Sequence, residues 1–560
     1  MTRLLVLVVC VAALVAVFER GRLSSRLGAV QRALESRHAP LVLGLVFAAA
    51  VWWTWGQVHP AGLLHDELAY VLQAHLFSHL RWTAPAPPMP EFFAQPHVLS
   101  DPVIASKYPP GHSLLLALGD VVGLPALSVA ALAALRAGLT FALARRLTNG
   151  AVALGTWMLL FHGQSLYFAA SYFSETTSGA MLLLAWYALL RWRESGGRGW
   201  MALVALAVGW CAITRPFSAA LFAIPIAFVV LRGLARTRQW RELAVGVAVG
   251  TAVLAILPLW SARTTGDWRV SPVAVYMRDY MPFDRPHFGY DSTPPRRTPP
   301  PDLAFVNASL DSVQRAHTVA AVPQIAKERA GFLALQSWWE PRVEGGLALL
   351  GLAAGPIAAL VGAATVIILF VGYLAHPTWP SWTIYYMEIA PVLAFYAVCG
   401  FAVILRALAR EPERAWEWAR GPRAALALVV ALVCALPLLR IEMRFDRGQH
   451  VGNANYPRRF QQAVASIPDR SILFVRHAKW HEGHWSLVEN DPDFARSRVW
   501  IAYDRGDSLN EELLRQAEGR AAFLFDEARH SIDPYLVVTS PSARQSQEVR
   551  SSPLSNLDAR

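Results

Sequence analysis

The stretch LVLGLVFAAAVWWTW (residues 41–55) carries no charge, and HDELAYVLQAHLFSHL (residues 65–80) follows it closely. The first is close to the ~20-residue apolar length that crosses a bilayer as a helix. The second places the carboxylates of Asp66 and Glu67 where the chain leaves that apolar run. Acids at a membrane boundary are costly and mark function when they persist. Leu68, Leu72, Leu76 and Leu80 fall on one helical stripe, with Asp66, Tyr70 and Gln73 on another face. The expected element is an amphipathic helix on the membrane surface, its polar face turned to a water-filled cavity. Asp66 and Glu67 diverge by about 100° at ~3.6 residues per turn, so one can face a substrate while the other braces the site. Acids also gather at helix N-termini for electrostatic reasons alone, and that plainer reading stays open here.

Composition extends this reading to the whole chain. Of 560 residues, 54% are hydrophobic and only 16% charged, and the apolar ones come in runs of roughly 16 to 20, the span length of a membrane helix. The chain is read as a polytopic α-helical membrane protein. Its net charge of +11 is almost all arginine, because Lys107, Lys327 and Lys479 are the only lysines. The arginines cluster in short loops between apolar runs, as the positive-inside rule requires, so no nucleic-acid partner is implied. Cys10, Cys211, Cys399 and Cys434 lie far apart in apolar runs without metal spacing. No disulfide framework is expected.

The arginine-rich turns set a topology. Residues 4–18 read as a retained first span, because Glu19-Arg20 follows where a cleavage site would need small residues. Arg20–His38 is then cytoplasmic, and Asp66 lies outside. Spans are expected at 124–147, 151–170, 176–190, 200–213, 217–231 and 243–260. Two short spans split near Gly355-Pro356 within 345–375, and further spans cover 389–405 and 424–439, giving about 12 in all. External loops cover 57–123 and 262–345, and Asp311–Leu335 carries a helical pattern. Residues 1–440 form the membrane domain. Residues 441–560 read as a small external α/β accessory domain, with strands at 471–475, 499–503 and 522–525 and helices at 456–466 and 509–517.

The external turns carry Asp66, Glu67, Lys107, Tyr108, His112, Glu175 and Arg215. A carboxylate can take a proton from an acceptor hydroxyl. Cations can hold a leaving phosphate as its charge develops. Glu175 and Arg215 could instead form a plain structural ion pair. His477, His481 and His484 look metal-like, but His481-Glu482-Gly483-His484 is one residue short of the helical His-Glu-x-x-His spacing and follows a strand. No metal and no cofactor is therefore expected. A divalent cation remains possible without being indicated.

An Asp-Glu pair after an early span, the Lys107-Tyr108-Pro109-Pro110-Gly111 bend, and Arg215-Pro216 at the outer end of a later span resemble the GT-C membrane glycosyltransferases. The resemblance covers roughly residues 40–440. It is nearest at His65–Ala74, Ser106–Leu116, Tyr172–Ala180 and Thr214–Ala219. It implies a hexosyl- or pentosyltransferase of the bacterial inner membrane. The donor would be a polyprenyl-phosphate sugar and the acceptor an envelope lipid, glycan or protein, with an active site on the extracytoplasmic side among membrane lipids. Asp66 falls on the catalytic aspartate, with Glu67 beside it, and Lys107 falls where the donor phosphate is approached. Tyr108, His112, Glu175 and Arg215 complete the expected donor site. An arginine usual near the penultimate spans is missing at Tyr385-Tyr386. A transporter or flippase of lipid-linked sugars is the alternative. It would place ionisable groups at broken helices near mid-membrane, where this chain offers only Arg136.

Overall fold

The structure, a computed structural model, describes residues 31–58, 64–409 and 456–535, apart from short breaks at 162, 239, 339, 457–458, 480, 482–485 and 518. The expected spans at 4–18 and 424–439 lie outside the described residues, as does His484.

Five described helices are long and apolar enough to cross a membrane: Ala39–Gly56, Ala126–Leu147, Pro216–Arg236, Trp240–Thr265 and Thr383–Ala407. Pro341–Ala354 and Ile357–Tyr373 form a sixth candidate, bent by 117°. The bend falls at Gly355-Pro356, the split expected from sequence, because Pro356 cannot supply the amide that a continuous helix needs. Gly150–Leu159 and Arg198–Ala212 are shorter apolar helices. The expected 151–170 span is broken into Gly150–Leu159 and Gly163–Ala169, whereas the 243–260 span lies within Trp240–Thr265, which is interrupted only at Ala255. Pro258, the third residue after that interruption, has no amide to offer the Leu254 carbonyl.

Helices pack through small residues. A Cβ added at Gly44 would lie 2.6 Å from the Ala134 carbonyl oxygen, and one at Gly138 would lie 2.8 Å from that of Pro40. Only glycine allows the Ala39–Val58 and Ala126–Leu147 backbones to approach this closely. The Ala390–Ala409 helix closes on Pro341–Ala354 in the same way at Gly351 and Gly400.

At one end of this bundle lies the His65–Ser78 helix, here called the Asp66 helix. It was expected to lie on the membrane surface, with its polar face turned to a cavity. Instead Ala69, Leu72 and Leu76 pack on Ala84, Val98 and Ile104. Residues 81–110, read as a loop, fold into a small antiparallel sheet of Ala84–Pro85, Val98–Leu99 and Val103–Ser106. Strands this short carry too little alternation to be seen in sequence. Gln73 ties the sheet to the helix: its amide donates to the Trp82 carbonyl at 3.0 Å and its oxygen accepts from the Ser106 amide at 3.0 Å.

The 263–344 segment contains the helices Pro272–Tyr280, Pro301–Ala316 and Val322–Ser337. The helix expected over 311–335 is thus two helices. The C-terminal strands were placed well: Ser471–Arg476, Val499–Tyr503 and Ala521–Asp526 form a parallel trio with the first in the middle. Asp507–Gln516 supplies the helix, and Ser531–Pro534 adds an antiparallel edge strand that was not foreseen. This sheet is not closed by its own chain segment alone. Phe92 and Phe93, from the 81–110 segment, are packed into its core beside Ile472, Phe474 and Trp500.

Candidate active site

Asp66 sits in the first turn of the Asp66 helix and accepts a short hydrogen bond from the Tyr108 hydroxyl. The imidazole of His97 approaches its other oxygen at 3.8 Å. The side chain keeps 41% of its surface accessible while neighbouring helix residues are buried, so the carboxylate lines an open recess. Burial raises its pKa, but His97, the Tyr108 hydrogen bond and Lys107 outweigh burial and hold it below the ordinary carboxylate range.

Glu67 points elsewhere, as the helix geometry requires. Its two oxygens accept from the backbone amides of Leu64 at 3.1 Å and Tyr172 at 2.8 Å. It closes the helix start and ties it to the turn before Glu175.

Lys107 leaves the small sheet buried, its Nζ 4.0 Å from Asp284 Oδ2. It lies over the rings of Tyr108 at 5.1 Å and Tyr276 at 4.9 Å. Desolvation lowers its pKa, opposed by the attraction of Asp284 and Asp66. Its backbone amide donates to the His97 carbonyl at 2.9 Å. His97 itself adopts φ +65°, a conformation unfavourable for a non-glycine residue. Its amide donates to the Tyr276 hydroxyl at 2.7 Å.

The Lys107–Gly111 bend is pinned to the Arg215 region at its last residue. The Gly111 amide donates to the Ile213 carbonyl at 2.7 Å, and Trp210 Nε1 donates to the Gly111 carbonyl at 3.0 Å. A Cβ at Gly111 would be 2.8 Å from the Ile213 oxygen, so no larger residue fits without movement.

A chain of contacts joins the two halves of the recess. Tyr108 stacks on Tyr70 at 4.5 Å. The Tyr70 hydroxyl donates to Ser174 Oγ at 3.0 Å, and Arg215 Nη1 also reaches that oxygen, at 3.4 Å. Arg215 makes a close ion pair with Glu175, which realises the structural pairing considered from sequence. Its Nε lies 3.1 Å from Glu388, and its Nη2 donates to the Tyr373 hydroxyl at 3.2 Å. Arg215 therefore already serves two carboxylates, whereas Lys107 faces one, at 4.0 Å.

His112 is not in the recess. It is fully buried, with Nε2 2.7 Å from the Tyr172 carbonyl and Nδ1 2.8 Å from the Thr177 hydroxyl. Nε2 must carry the proton to face a carbonyl, and Nδ1 accepts from Thr177. Burial depresses its pKa to about 4, so it is a neutral strut.

Sequence reasoning missed His97, Asp284, His376 and Glu388. His376 Nε2 lies 3.6 Å from Asp284, across from Lys107. None of these falls beside a recognisable motif. An arginine from another element does lie beside the Tyr385-Tyr386 stretch: Arg329 Nη1 is 3.4 Å from the Tyr386 hydroxyl. Arg329 is fully buried and donates to the carbonyls of His376 at 2.7 Å and Thr378 at 3.2 Å. It holds a turn and does not open on the recess.

The arrangement of these helices is the GT-C fold, as its likeness to solved structures shows. It is similar to the crystal structure of ArnT from Cupriavidus metallidurans bound to undecaprenyl phosphate, with TM-score 0.50 and 16% identity, covering 92% of this chain and 96% of that one. The apo state of the same protein matches with TM-score 0.50 and 14% identity, covering 90% and 94%. The arabinosyltransferase EmbB from Mycobacterium smegmatis follows with TM-score 0.40 and 14% identity, covering 76% of this chain and 43% of that one. No protein-family model matches the chain, and no curated protein matches it.

Proposed function

We propose that this protein is a membrane glycosyltransferase. It moves a sugar from a polyprenyl-phosphate donor to an envelope lipid, glycan or protein at the extracytoplasmic face of the bacterial inner membrane. The observation that carries this reading is the pairing of an accessible carboxylate, Asp66, with a buried ammonium, Lys107, across the Tyr108 ring. A donor phosphate near Lys107 would leave its anomeric carbon facing Asp66. The acceptor oxygen attacks that carbon as the bond to phosphate oxygen breaks, with its electron pair leaving on the phosphate. The acceptor's proton passes to Asp66. Because the Asp66 pKa is low, it orients the hydroxyl and takes the proton late, once bonding to carbon has made the oxygen acidic. Glu67 braces this helix, and Arg215 with Glu175 and Glu388 frames the far wall. The likeness to ArnT, which binds undecaprenyl phosphate, supports the choice of donor.

The test is a titration of the protein in nanodiscs with undecaprenyl phosphate and with undecaprenol. A charged hydrogen bond to phosphate is worth about 1.5–3 kcal/mol, or roughly 10–100-fold in affinity. Lys107→Met should lose that much for the phosphate and nothing for the alcohol. Equal loss for both, or none for either, contradicts the assignment.

A further inference from the structure

We propose that Asp302, His477 and His481 hold a divalent transition metal of the zinc class, and that this ion ties the 263–344 segment to the C-terminal sheet. Asp302 Oδ1 lies 3.1 Å from His477 Nε2 and 3.2 Å from His481 Nε2. The three ligand atoms all fall within 4.8 Å of one another. None of the three has a hydrogen-bond partner at acceptable geometry, although all are buried. Zinc bonds of ~2.0–2.2 Å in a tetrahedron separate ligand atoms by about 3.3–3.5 Å, close to what is seen.

The tautomers are fixed from behind. Glu527 is fully buried. It accepts from the Ala478 amide at 2.8 Å and the Tyr456 hydroxyl at 2.9 Å. Its oxygens also face His477 Nδ1 at 3.1 Å and His481 Nδ1 at 2.7 Å. A carboxylate in this position takes Nδ1–H from both rings, so each Nε2 faces Asp302 with a lone pair on a neutral ring or with a proton on a charged one. On neutral rings two lone pairs and a carboxylate oxygen repel one another unless a cation lies between them, and on charged rings the two N–H groups would still miss Asp302 Oδ1 at hydrogen-bonding angles despite lying 3.1 and 3.2 Å away. Carboxylate-backed histidines are the usual outer support of a metal site. The second Asp302 oxygen accepts from the Tyr503 hydroxyl at 3.1 Å. One divalent ion neutralises Asp302 and Glu527, so the buried cluster carries no net charge. The short spacing of His481 and His484 argued against zinc because it considered one segment. The third ligand comes from Asp302, far upstream, and no local pattern could reveal it.

The site acts by position. Asp302 opens the Pro301–Ala316 helix, and the next residue, Leu303, is fully buried against Tyr276, Tyr280 and Leu99. Tyr276 in turn carries the His97 amide and lies under Lys107. A second grouping, His75, His79 and Asp120, is more exposed, and Ser78 already donates to Asp120 at 2.5 Å. It serves as a control.

The experiment is elemental analysis of the full chain, purified in detergent without chelator. The wild type and His75→Gln should each carry one zinc per chain, and the His477→Gln/His481→Gln double variant should carry almost none. Should that variant fail to fold, the wild type alone decides. After chelator stripping, Zn2+ but not Mg2+ should raise Tm, and Co2+ should show the strong visible absorption of a tetrahedral site. Zinc content in the wild type no higher than in a folded double variant overturns the proposal. So does a stripped protein whose Tm is indifferent to Zn2+ and which binds Co2+ without that absorption.

Discussion

Asp66 and Glu67 are neighbours in sequence with different surroundings, and their substitutions should separate. Asp66→Asn keeps size and shape and should lower transfer by about 10²–10⁴-fold without changing Tm, the usual worth of a positioned base. Glu67→Gln should lower Tm and cost less turnover, because it weakens two backbone anchors. Equal losses of turnover would put both acids in the recess. The pH profile adds a second reading. A depressed carboxylate pKa keeps Asp66 ionised as pH falls, and its contribution is lost only below the ordinary range. Tyr108→Phe and His97→Gln each remove something that lowers that pKa, so both should move the acidic limb of kcat/KM to higher pH. Asp284→Asn removes the leading attraction that raises the Lys107 pKa, so the alkaline limb should move to lower pH. Limbs unmoved by these changes would assign them to other groups. At Arg215 the outcome is one of stability. Its removal leaves Glu175 and Glu388 buried without their cation, so Arg215→Met should destabilise the protein by about 3–5 kcal/mol in thermal or denaturant unfolding. The residue scale was partly readable from sequence. Asp66, Lys107 and Arg215 announced themselves as charges beside apolar runs. His97, Asp284 and Glu388 did not, because each reaches the site through tertiary packing alone.

Elements were read best where one physical signal dominated. The helix break at Gly355-Pro356 and the three parallel strands follow from a proline and from short apolar runs. The sheet within 81–110 was hidden by prolines and by strands of two to four residues. The partner of the Asp66 helix was hidden for a related reason: a leucine stripe covers a protein sheet as well as it covers lipid. The bend at Lys107–Gly111 makes an element-scale prediction. Gly111→Ala puts a methyl against the Ile213 carbonyl, and overpacking of this kind costs about 1–3 kcal/mol. Because the bend sets Lys107 relative to Arg215, donor affinity should fall along with Tm. A variant with lowered Tm and unchanged affinity would show that Lys107 is held by the small sheet alone.

Across the whole molecule, the C-terminal unit was expected to be an accessory domain whose removal leaves donor binding in place. Its packing argues for dependence. Phe92 and Phe93 complete its core, and they lie on the segment that leads to Lys107. A chain ending at Arg440 should insert in the membrane but become cleavable by protease between Arg81 and Lys107. Continued protection there would restore the accessory reading. Apolar periodicity made the helical bundle legible, and the strand pattern made the C-terminal sheet legible. The interlock between them was not, since it rests on two phenylalanines and one aspartate that look ordinary in sequence. The central claim is that Asp66, beside Lys107, carries out sugar transfer. Mass spectrometry of cell-envelope glycans tests it most directly, in cells with no copy of the gene, with the wild type, or with Asp66→Asn at equal membrane abundance. The account predicts a hexose- or pentose-modified species that appears with the wild type and is absent in the other two. The same species restored by Asp66→Asn would contradict it.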